Sequence, residues 1–312
     1  MRVSGLMAAL LMLAGLAVAG ACSAQQAVPL VFKFVAGDVL RYEVTLSGGG
    51  SMSATGASFT PVSLQGSVLV SQRVVNVLAD GSAQLETLIT GCDLALNFDR
   101  ESARFSYSDG KLRWYANGKE SSPPAGDLSK VPLLGTPVTC TVGPDGSLRE
   151  VMLPASQLLG EVTKSLPGLD PTHMQVTGQP ILPSGPVRVG ETWRQAVRVA
   201  PLGPGFPLSV TVSRTLESFD DRGGIGLAKI TGFTDARLVG AARPEFSQQG
   251  LNIAISDIRE TITSTEFFNA TAGRLMRGDY DLTLSTRISV DAKGQHTEGG
   301  LDARLRMGVQ AR

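Results

Sequence analysis

The stretch DYDLTLSTRISVDAKGQHTEGGLDARLRMGV, residues 279–309, decides the fold class. Apolar and polar residues alternate over 280–290, and the same period of two returns over 301–309. Successive side chains of a strand point to opposite faces, so each half predicts a strand with one apolar and one polar face. The turn sequence Ala-Lys-Gly-Gln at 292–295 joins the two strands and predicts an antiparallel hairpin. The predicted apolar face carries Tyr280, Leu282, Leu284, Ile288, Val290, Leu301, Ala303, Leu305, Met307 and Val309.

Alternation of this kind recurs earlier in the chain, at Leu40, Tyr42, Val44 and Leu46. The 36 glycines and 17 prolines supply many sites for tight turns. The sequence therefore predicts an all-β protein of mostly antiparallel, curved sheets or half-barrels, with one or two short helices. The glycine run SGGGS at 47–51 lacks the lysine of a phosphate-binding loop, and we interpret it as a flexible hairpin end.

The N-terminus has the layout of a secretory signal. Met1-Arg2 supplies positive charge, residues 6–18 form an uncharged apolar run, and small residues follow at 19–21. The alternative is an uncleaved membrane anchor, which would need about 20 apolar residues. We expect residues 1–24 to be a signal peptide. The mature protein would then be exported, and either periplasmic or tethered to a membrane.

Cys22 has three interpretations. The segment Ala19-Gly20-Ala21-Cys22 resembles the lipobox of bacterial lipoproteins, which implies that Cys22 becomes the lipidated first residue of the mature chain. It departs from that pattern at Ala19, where the lipobox usually has leucine. Cleavage after Ala21 without lipidation would leave an ordinary cysteine, and cleavage after Ala24 would discard it.

Cys92 and Cys140 are the other two cysteines of the chain. Two cysteines in an exported chain predict a disulfide, here between the strand-like segments ITGCDLAL and TPVTCTVG. The alternative is a pair of buried thiols that pack as small apolar side chains.

The chain is expected to divide into two β halves, at 27–150 and 187–312. A connector at 151–186 joins them and contains one predicted amphipathic helix over about 155–166. The segments FVAGDVLRYEV and VRVGETWRQAV, one at the start of each half, share a glycine, an acid and an arginine at the same spacing. Two related halves would explain this echo, and chance similarity of short segments is the alternative.

The same two segments resemble the DUF6263-like group of uncharacterised exported bacterial proteins. The likeness spans most of the mature chain but rests on few specific residues. It implies a β-rich envelope protein and brings no catalytic residues with it.

The motifs of several chemistries are missing from the sequence. The two histidines, His173 and His296, have no Cys or His partner at ligand spacing. Asp220-Asp221 lacks the alternating acids of a calcium loop, and no Gly-x-Ser-x-Gly elbow occurs. Lys+Arg and Asp+Glu are equal at 28 each, which argues against a nucleic-acid partner. We therefore expect no enzyme activity, no cofactor and no metal.

Long strands with one apolar face can curve into an open half-barrel that a helix covers. Such an arrangement resembles the LolA-like lipoprotein and lipid carriers of the cell envelope. The resemblance implies a noncatalytic protein that binds an apolar ligand or lipid in a β groove. Trp114 and Trp193 are candidates for the rim or lining of that groove, and ordinary core packing is the alternative for both. The other hypothesis is a structural or interaction module of the envelope, tethered near the membrane, with another envelope protein as its partner.

Lipidation of Cys22 predicts a mass addition that survives denaturation when the protein is expressed with its own leader. Cys22→Ser removes the acceptor thiol, so this variant should lose the added mass and leave the membrane fraction. Intact mass spectrometry of the denatured protein reads the result, and Cys92→Ser is the control that should keep the addition. A bare wild-type chain beginning at Gln25 would contradict the lipidated form.

Overall fold

The computed structural model describes residues 27–54, 60–99, 101–121, 137–152, 180–199, 208–238, 245–248, 251–292 and 295–312. These residues form fifteen β-strands and contain no helix, so the all-β prediction is confirmed. The predicted leader with Cys22 and the predicted helix over 155–166 lie outside the described residues. In the described part of the chain, no helix has the length and apolar character needed to cross a membrane.

The strands are long, and several exceed fifteen residues. They are β1 (Val39–Ala54), β2 (Thr60–Val77), β3 (Ala83–Phe98), β4 (Glu101–Ser108), β5 (Lys111–Ala116), β6 (Lys119–Ser121), β7 (Val138–Val142), β8 (Leu148–Met152), β9 (Thr192–Val199), β10 (Leu208–Arg222), β11 (Ile225–Leu238), β12 (Glu245–Gln248), β13 (Leu251–Asn269), β14 (Arg274–Ala292) and β15 (Gln295–Ala311).

All fifteen strands belong to one antiparallel sheet. Its order is β6-β5-β4-β3-β2-β1-β15-β14-β13-β11-β10-β9, with β7 and β8 beside the first part of β3 and β12 beside β13. The first and last strands meet at the centre, where β1 pairs with β15 from Tyr42 with Ala311 to Ala54 with Gly299. This seam joins the N-terminal and C-terminal halves into a single sheet.

The hairpin predicted from 279–309 is present as β14 and β15. Tyr280 pairs with Met307 and Leu282 with Leu305, and the pairing runs on to Ala292 with Gln295. Because paired residues share a face, the predicted apolar side chains of Tyr280, Leu282 and Leu284 lie together with those of Leu301 to Val309. The prediction of this hairpin is confirmed.

The glycine run at 47–51 lies in the middle of β1 and not at a hairpin end, so that interpretation is wrong. A Cβ added at Gly48 would come 2.3 Å from the Arg304 carbonyl oxygen, and one at Gly50 would come 2.2 Å from that of Asp302. Neighbouring backbone thus approaches too closely for any side chain. Glycines of this kind mark sharp bends within strands.

The register carries one apolar face across the sheet. A single row of paired residues on this face consists of Trp114, Phe105, Leu94, Gly66, Leu46, Met307, Tyr280 and Ser264. The opposite, polar face carries cross-strand ion pairs, for example Asp93 with Arg104 and Asp302 with Arg287. Exposed pairs of this kind each contribute about 0.2–1 kcal/mol, so the polar face mainly keeps that side solvated.

The N-terminal arm, residues 27–38, crosses one end of the apolar face. Phe32 donates its N–H to the Pro144 carbonyl (2.7 Å), and its ring meets that of Phe268 edge to face at 5.2 Å between centroids. Phe34 packs against two buried clusters, one from each half of the chain. The arm therefore fills the core at this end, which we call the closed end.

The sheet is strongly curved around this arm. Trp193 of β9 donates its indole N–H to the Ile181 carbonyl (3.1 Å), and Leu182 donates to Asp145 in the β7–β8 turn (2.7 Å). Strands β7 and β9 are nine strand spacings apart along the sheet, roughly 43 Å in a flat sheet at about 4.8 Å per strand. Because these few contacts connect them, the apolar face is concave, as the prediction of curved sheets requires.

The two halves repeat one structural unit. Strands β1, β2, β3, β7 and β8 correspond in order and pairing to β9, β10, β11, β13 and β14. Before β1, Gly37 has a φ of 89° and donates to the Val74 carbonyl at 2.9 Å. Before β9, Gly190 has a φ of 88° and donates to the Leu216 carbonyl at 2.7 Å. A β-bulge follows Val74 in one half and Leu216 in the other.

The correspondence continues into the core. A second bulge lies beside Val142 in one half and Phe268 in the other, and its extra residue, Arg149 or Met276, is in the fifth strand of each unit. The apolar residues at matching positions are Val74 and Leu216, Ala83 and Ala228, Leu85 and Ile230, Val142 and Phe268, and Leu148 and Leu275. The echo noticed in the sequence is therefore an internal repeat of the structure.

The predicted disulfide is not formed. Cys92 and Cys140 are both buried free thiols. Cys140 lies opposite Leu85 on β3, and Cys92 follows Leu85 by seven residues on the same strand. At about 3.4 Å per residue this places the cysteines roughly 20 Å apart or more, whereas a disulfide needs Cα atoms within about 7 Å. Strand register, which spacing in the sequence does not reveal, separates them.

Truncating the side chains at equivalent core positions of the two halves should lower the stability by similar amounts. Leu85 and Ile230 are both fully buried, so Leu85→Ala and Ile230→Ala should each lower the free energy of unfolding by about 2–5 kcal/mol. Ile225→Ala, at a side chain that is 55% exposed, is the matched control and should change it by about 0.5 kcal/mol or less. Urea unfolding measures all three, and a control-sized effect in either half would contradict a core formed by both.

Candidate functional site

Beyond the arm, the apolar face continues as a concave surface that we call the groove. None of the buried clusters formed by the described residues includes its side chains. These side chains are half-buried, because the curvature of the sheet shields them from part of the solvent. They are Leu46, Leu64, Leu94, Leu96, Ile262, Leu282, Leu284 and Leu305.

An ion pair lies where the groove meets the closed end. Arg214 on β10 donates from Nε and Nη2 to the two carboxylate oxygens of Glu266 on β13, at 3.2 Å each. The side chain of Arg214 is 10% exposed and that of Glu266 is 0% exposed. Strand β11 lies between them, and Arg214 crosses it at Gly232, where an added Cβ would come 3.4 Å from Arg214 Cγ. That approach is ordinary van der Waals contact, whereas the same Cβ would come 2.3 Å from Ser264 Oγ, so the glycine makes room for Ser264 beside the ion pair.

Tyr280 completes the polar cluster. Its ring lies over Gly278, where an added Cβ would come 2.6 Å from the hydroxyl oxygen. Gly278 is the cross-strand partner of Glu266, so the hydroxyl lies beside the buried ion pair. Burial and the Glu266 carboxylate raise the pKa of Tyr280 far above its usual range, which keeps the phenol protonated and able to donate.

Two donors of this cluster make no hydrogen bond of normal geometry to the described residues. They are Nη1 of Arg214 and the hydroxyl of Tyr280, and both atoms are buried. An unsatisfied buried donor costs about 1–3 kcal/mol, so such groups are rare in a core that serves packing alone. The cluster of Arg214, Glu266 and Tyr280 thus has unused capacity to bind a hydrogen-bond acceptor.

A second acid, Glu260, lies on the wall of the groove. Its cross-strand partners are Leu284 and Ala236, and it forms no ion pair among the described residues. Burial in this apolar setting raises the pKa of the Glu260 carboxyl.

The two predicted groove residues occupy different places. Trp193 packs against the buried cluster at the closed end and donates to a backbone carbonyl, which is the core alternative. Trp114 lies on the apolar face opposite Phe105, near the outermost strand β6, and is half-buried. Whether Trp114 touches a ligand stays a prediction.

Sequence reasoning missed the polar cluster, although a signal was present. Arg214 stands in phase with Val212 and Leu216 on β10, and Glu266 in phase with Phe268 on β13. A charged residue at an apolar position of a strand either disrupts the core or has a specific role. That signal needs the register to show that the two charges meet.

The polar face carries a separate feature. A shallow cavity of about 570 Å³ lies around Gly66 and is lined by residues that include Thr45, Gln65, Asp93 and Arg104. It is on the side of the sheet opposite the groove. Within the described ranges, no group of three or more His, Cys, Asp and Glu residues is placed to hold a metal ion.

No family model and no curated protein matches the chain. Among solved structures, it is similar to OpdQ of Pseudomonas aeruginosa, with 7% identity, a TM-score of 0.23, and coverage of 88% of this chain and 99% of that chain. An outer-membrane channel from Pseudomonas putida F1 gives 10% identity, a TM-score of 0.21, and coverage of 90% and 97%. At these low TM-scores neither fold nor function follows from the likeness. The resemblances to the DUF6263-like group and to LolA-like carriers stay predictions.

The buried ion pair can be tested by removing one or both partners. Arg214→Met leaves the Glu266 carboxylate buried without a partner and should cost about 3–5 kcal/mol of unfolding free energy. Adding Glu266→Met to this variant removes the uncompensated charge and should recover much of the loss. Denaturant unfolding gives both values, and Arg104→Met in the exposed Asp93–Arg104 pair is the control, with an effect of about 1 kcal/mol or less. Equal losses in the single and double variants would contradict a coupled pair.

Replacing Glu260 by a neutral residue should increase the stability of the folded protein, by an amount that depends on pH. Its raised pKa stabilises the folded chain below the unfolded pKa, and this contribution is lost as the pH rises through the folded pKa. Glu260→Gln should therefore be more stable than wild type at neutral pH, and the difference should shrink in acid. Urea unfolding from about pH 3 to about pH 8 measures the difference, with the exposed Glu120→Gln as control. A gain that is the same at every pH would contradict the burial of this carboxyl.

Proposed function

We propose that this protein is a noncatalytic, exported protein of the cell envelope that binds an apolar ligand or lipid in the groove. The observation that carries the proposal is the continuous, concave apolar face of a single sheet. Small-molecule sites are usually concave and mainly apolar, with a few polar groups that fix orientation. The groove has this composition, because leucine and isoleucine line it and the polar cluster lies at one end.

Two further features support a ligand site over a filled core. The groove side chains stay half-buried outside the three buried clusters, whereas those beneath the arm are fully buried. Gly48, Gly50 and Gly66 lie on the same face and place no side chains in the groove. The middle of the concave surface therefore carries no side chains, and the close approach of neighbouring backbone at each of these glycines bends the sheet there.

Export and an envelope location belong to the proposal. They are supported by the apolar leader sequence over 1–24. A lipid at Cys22 would hold the groove near a membrane, which is a source of apolar ligands. The proposed partners are thus a lipid or another apolar small molecule.

Titration with the methyl ester of cis-parinaric acid, which fluoresces in apolar surroundings, tests the function. Leu282→Lys places a charge in the groove and should weaken binding at least tenfold, because an unpaired charge in an apolar site is costly. Thr283→Lys, at the next residue on β14, places the same charge on the polar face and should leave binding unchanged.

Equal binding by the two lysine variants would contradict the groove as the site. Absence of probe binding to the wild-type protein would contradict the function itself. An interaction module would then be the better explanation, since β9 pairs with β10 on one edge and no described strand pairs with the other.

A further inference from the structure

The internal repeat shows which buried polar groups the fold needs. The position of Arg214 in the C-terminal half corresponds to Gln72 in the N-terminal half, and that of Glu266 corresponds to Cys140. In the N-terminal half these neutral residues are satisfied locally, as Gln72 donates to the Thr87 hydroxyl at 3.4 Å. One copy of the unit therefore folds without a buried charge at this place. The ion pair of the other copy is an addition that packing does not explain.

The hydrogen-bonding groups that the added ion pair leaves unused are donors. Glu266 accepts two hydrogen bonds from Arg214, and the Tyr280 hydroxyl lies beside the same carboxylate without a hydrogen bond of normal geometry, while Nη1 of Arg214 has no acceptor among the described residues. Arg214 as a residue is 9% exposed, so this donor is held in place by its surroundings. A ligand atom that fits must accept hydrogen bonds, and a carbonyl oxygen has two lone pairs for the two donors.

The charge of the cluster decides which carbonyl fits. Arg214 and Glu266 neutralise each other, so no net positive charge remains to hold an anion. A carboxylate placed here would also face the buried Glu266 carboxylate, and like charges repel strongly in a poorly solvated site. A neutral ester carbonyl has the acceptor without the charge.

The position of the cluster matches an amphiphile with this group. Tyr280 packs against a buried cluster that contains Tyr42 and Val309, and the next apolar residue along β14 is Leu282 in the groove. A carbonyl at the cluster would thus have apolar surface on its groove side for an attached acyl chain. We propose that Arg214, Glu266 and Tyr280 form the polar-group subsite of the groove and bind the carbonyl of a neutral acyl ester. This inference rests on the proposed function and names the ligand class.

Competition against the parinaric ester probe tests the subsite with three ligands that share a twelve-carbon chain. Methyl laurate has the neutral carbonyl, dodecyl methyl ether lacks it, and laurate is the anion. The wild-type protein should bind methyl laurate about ten- to a hundredfold more tightly than the ether, because each of the two hydrogen bonds supplies about three- to tenfold. Laurate should bind less tightly than the ester.

Tyr280→Phe removes one donor and keeps the ring. It should lower the preference for ester over ether by about three- to tenfold while the affinity for the ether stays the same. Tyr42→Phe is the matched control. Tyr42 is a buried tyrosine on the same face but is not part of the polar cluster, so this variant should keep the preference. The double variant Arg214→Met with Glu266→Met removes the other donor and should lower the preference by a similar factor. Probe binding by each variant shows that its groove has folded.

Three results would overturn the subsite and leave the proposed function intact. They are equal binding of ester and ether by the wild type, an unchanged preference in Tyr280→Phe, or tighter binding of laurate than of the ester. Wild-type protein that binds neither the probe nor any of the three ligands would overturn the proposed function as well.

Discussion

The pairing of β1 with β15 is the constraint on which the rest of the structure depends. Each half of the chain forms its own run of antiparallel strands, and only this seam joins the two runs within the described sheet. At the seam, Gly48 and Gly50 let the backbone of β15 approach more closely than any side chain would allow. The continuity of the apolar face and its sharp bend thus arise at the same place.

The arm uses the bend to build a core. A curved sheet of this size has one concave side, and a short extended segment is enough to fill the narrow end. Phe34 touches the buried clusters of both halves, so one aromatic side chain links two copies of the same unit. The fold is therefore solid at one end and only half-buried in the groove, and the polar cluster stands at the boundary between the two.

Period-two alternation predicted the fold class and the hairpin at 279–309, because a strand with one buried face has an apolar residue at every second position. The same reasoning failed where local composition conflicts with long-range pairing. The glycine run at 47–51 has the composition of a turn, yet pairing on both sides holds it in a strand. By their place in the sequence Cys92 and Cys140 are a plausible disulfide pair, and only the strand register shows that they lie far apart. The charges at Arg214 and Glu266 were visible as exceptions to the apolar phase, but their meeting depends on the register of β10, β11 and β13.

The seam also has a consequence for how the protein is made. Residues at opposite ends of the chain must find each other, and such non-local pairing is slow because loop-closure entropy opposes it. During synthesis the edge of β1 stays unpaired until β15, a strand of seventeen residues, is available. An exposed edge of that length is prone to pair with other chains. The nascent protein thus has to be shielded until β15 has been made, and a chain cut short within β15 would carry a permanent site for aggregation.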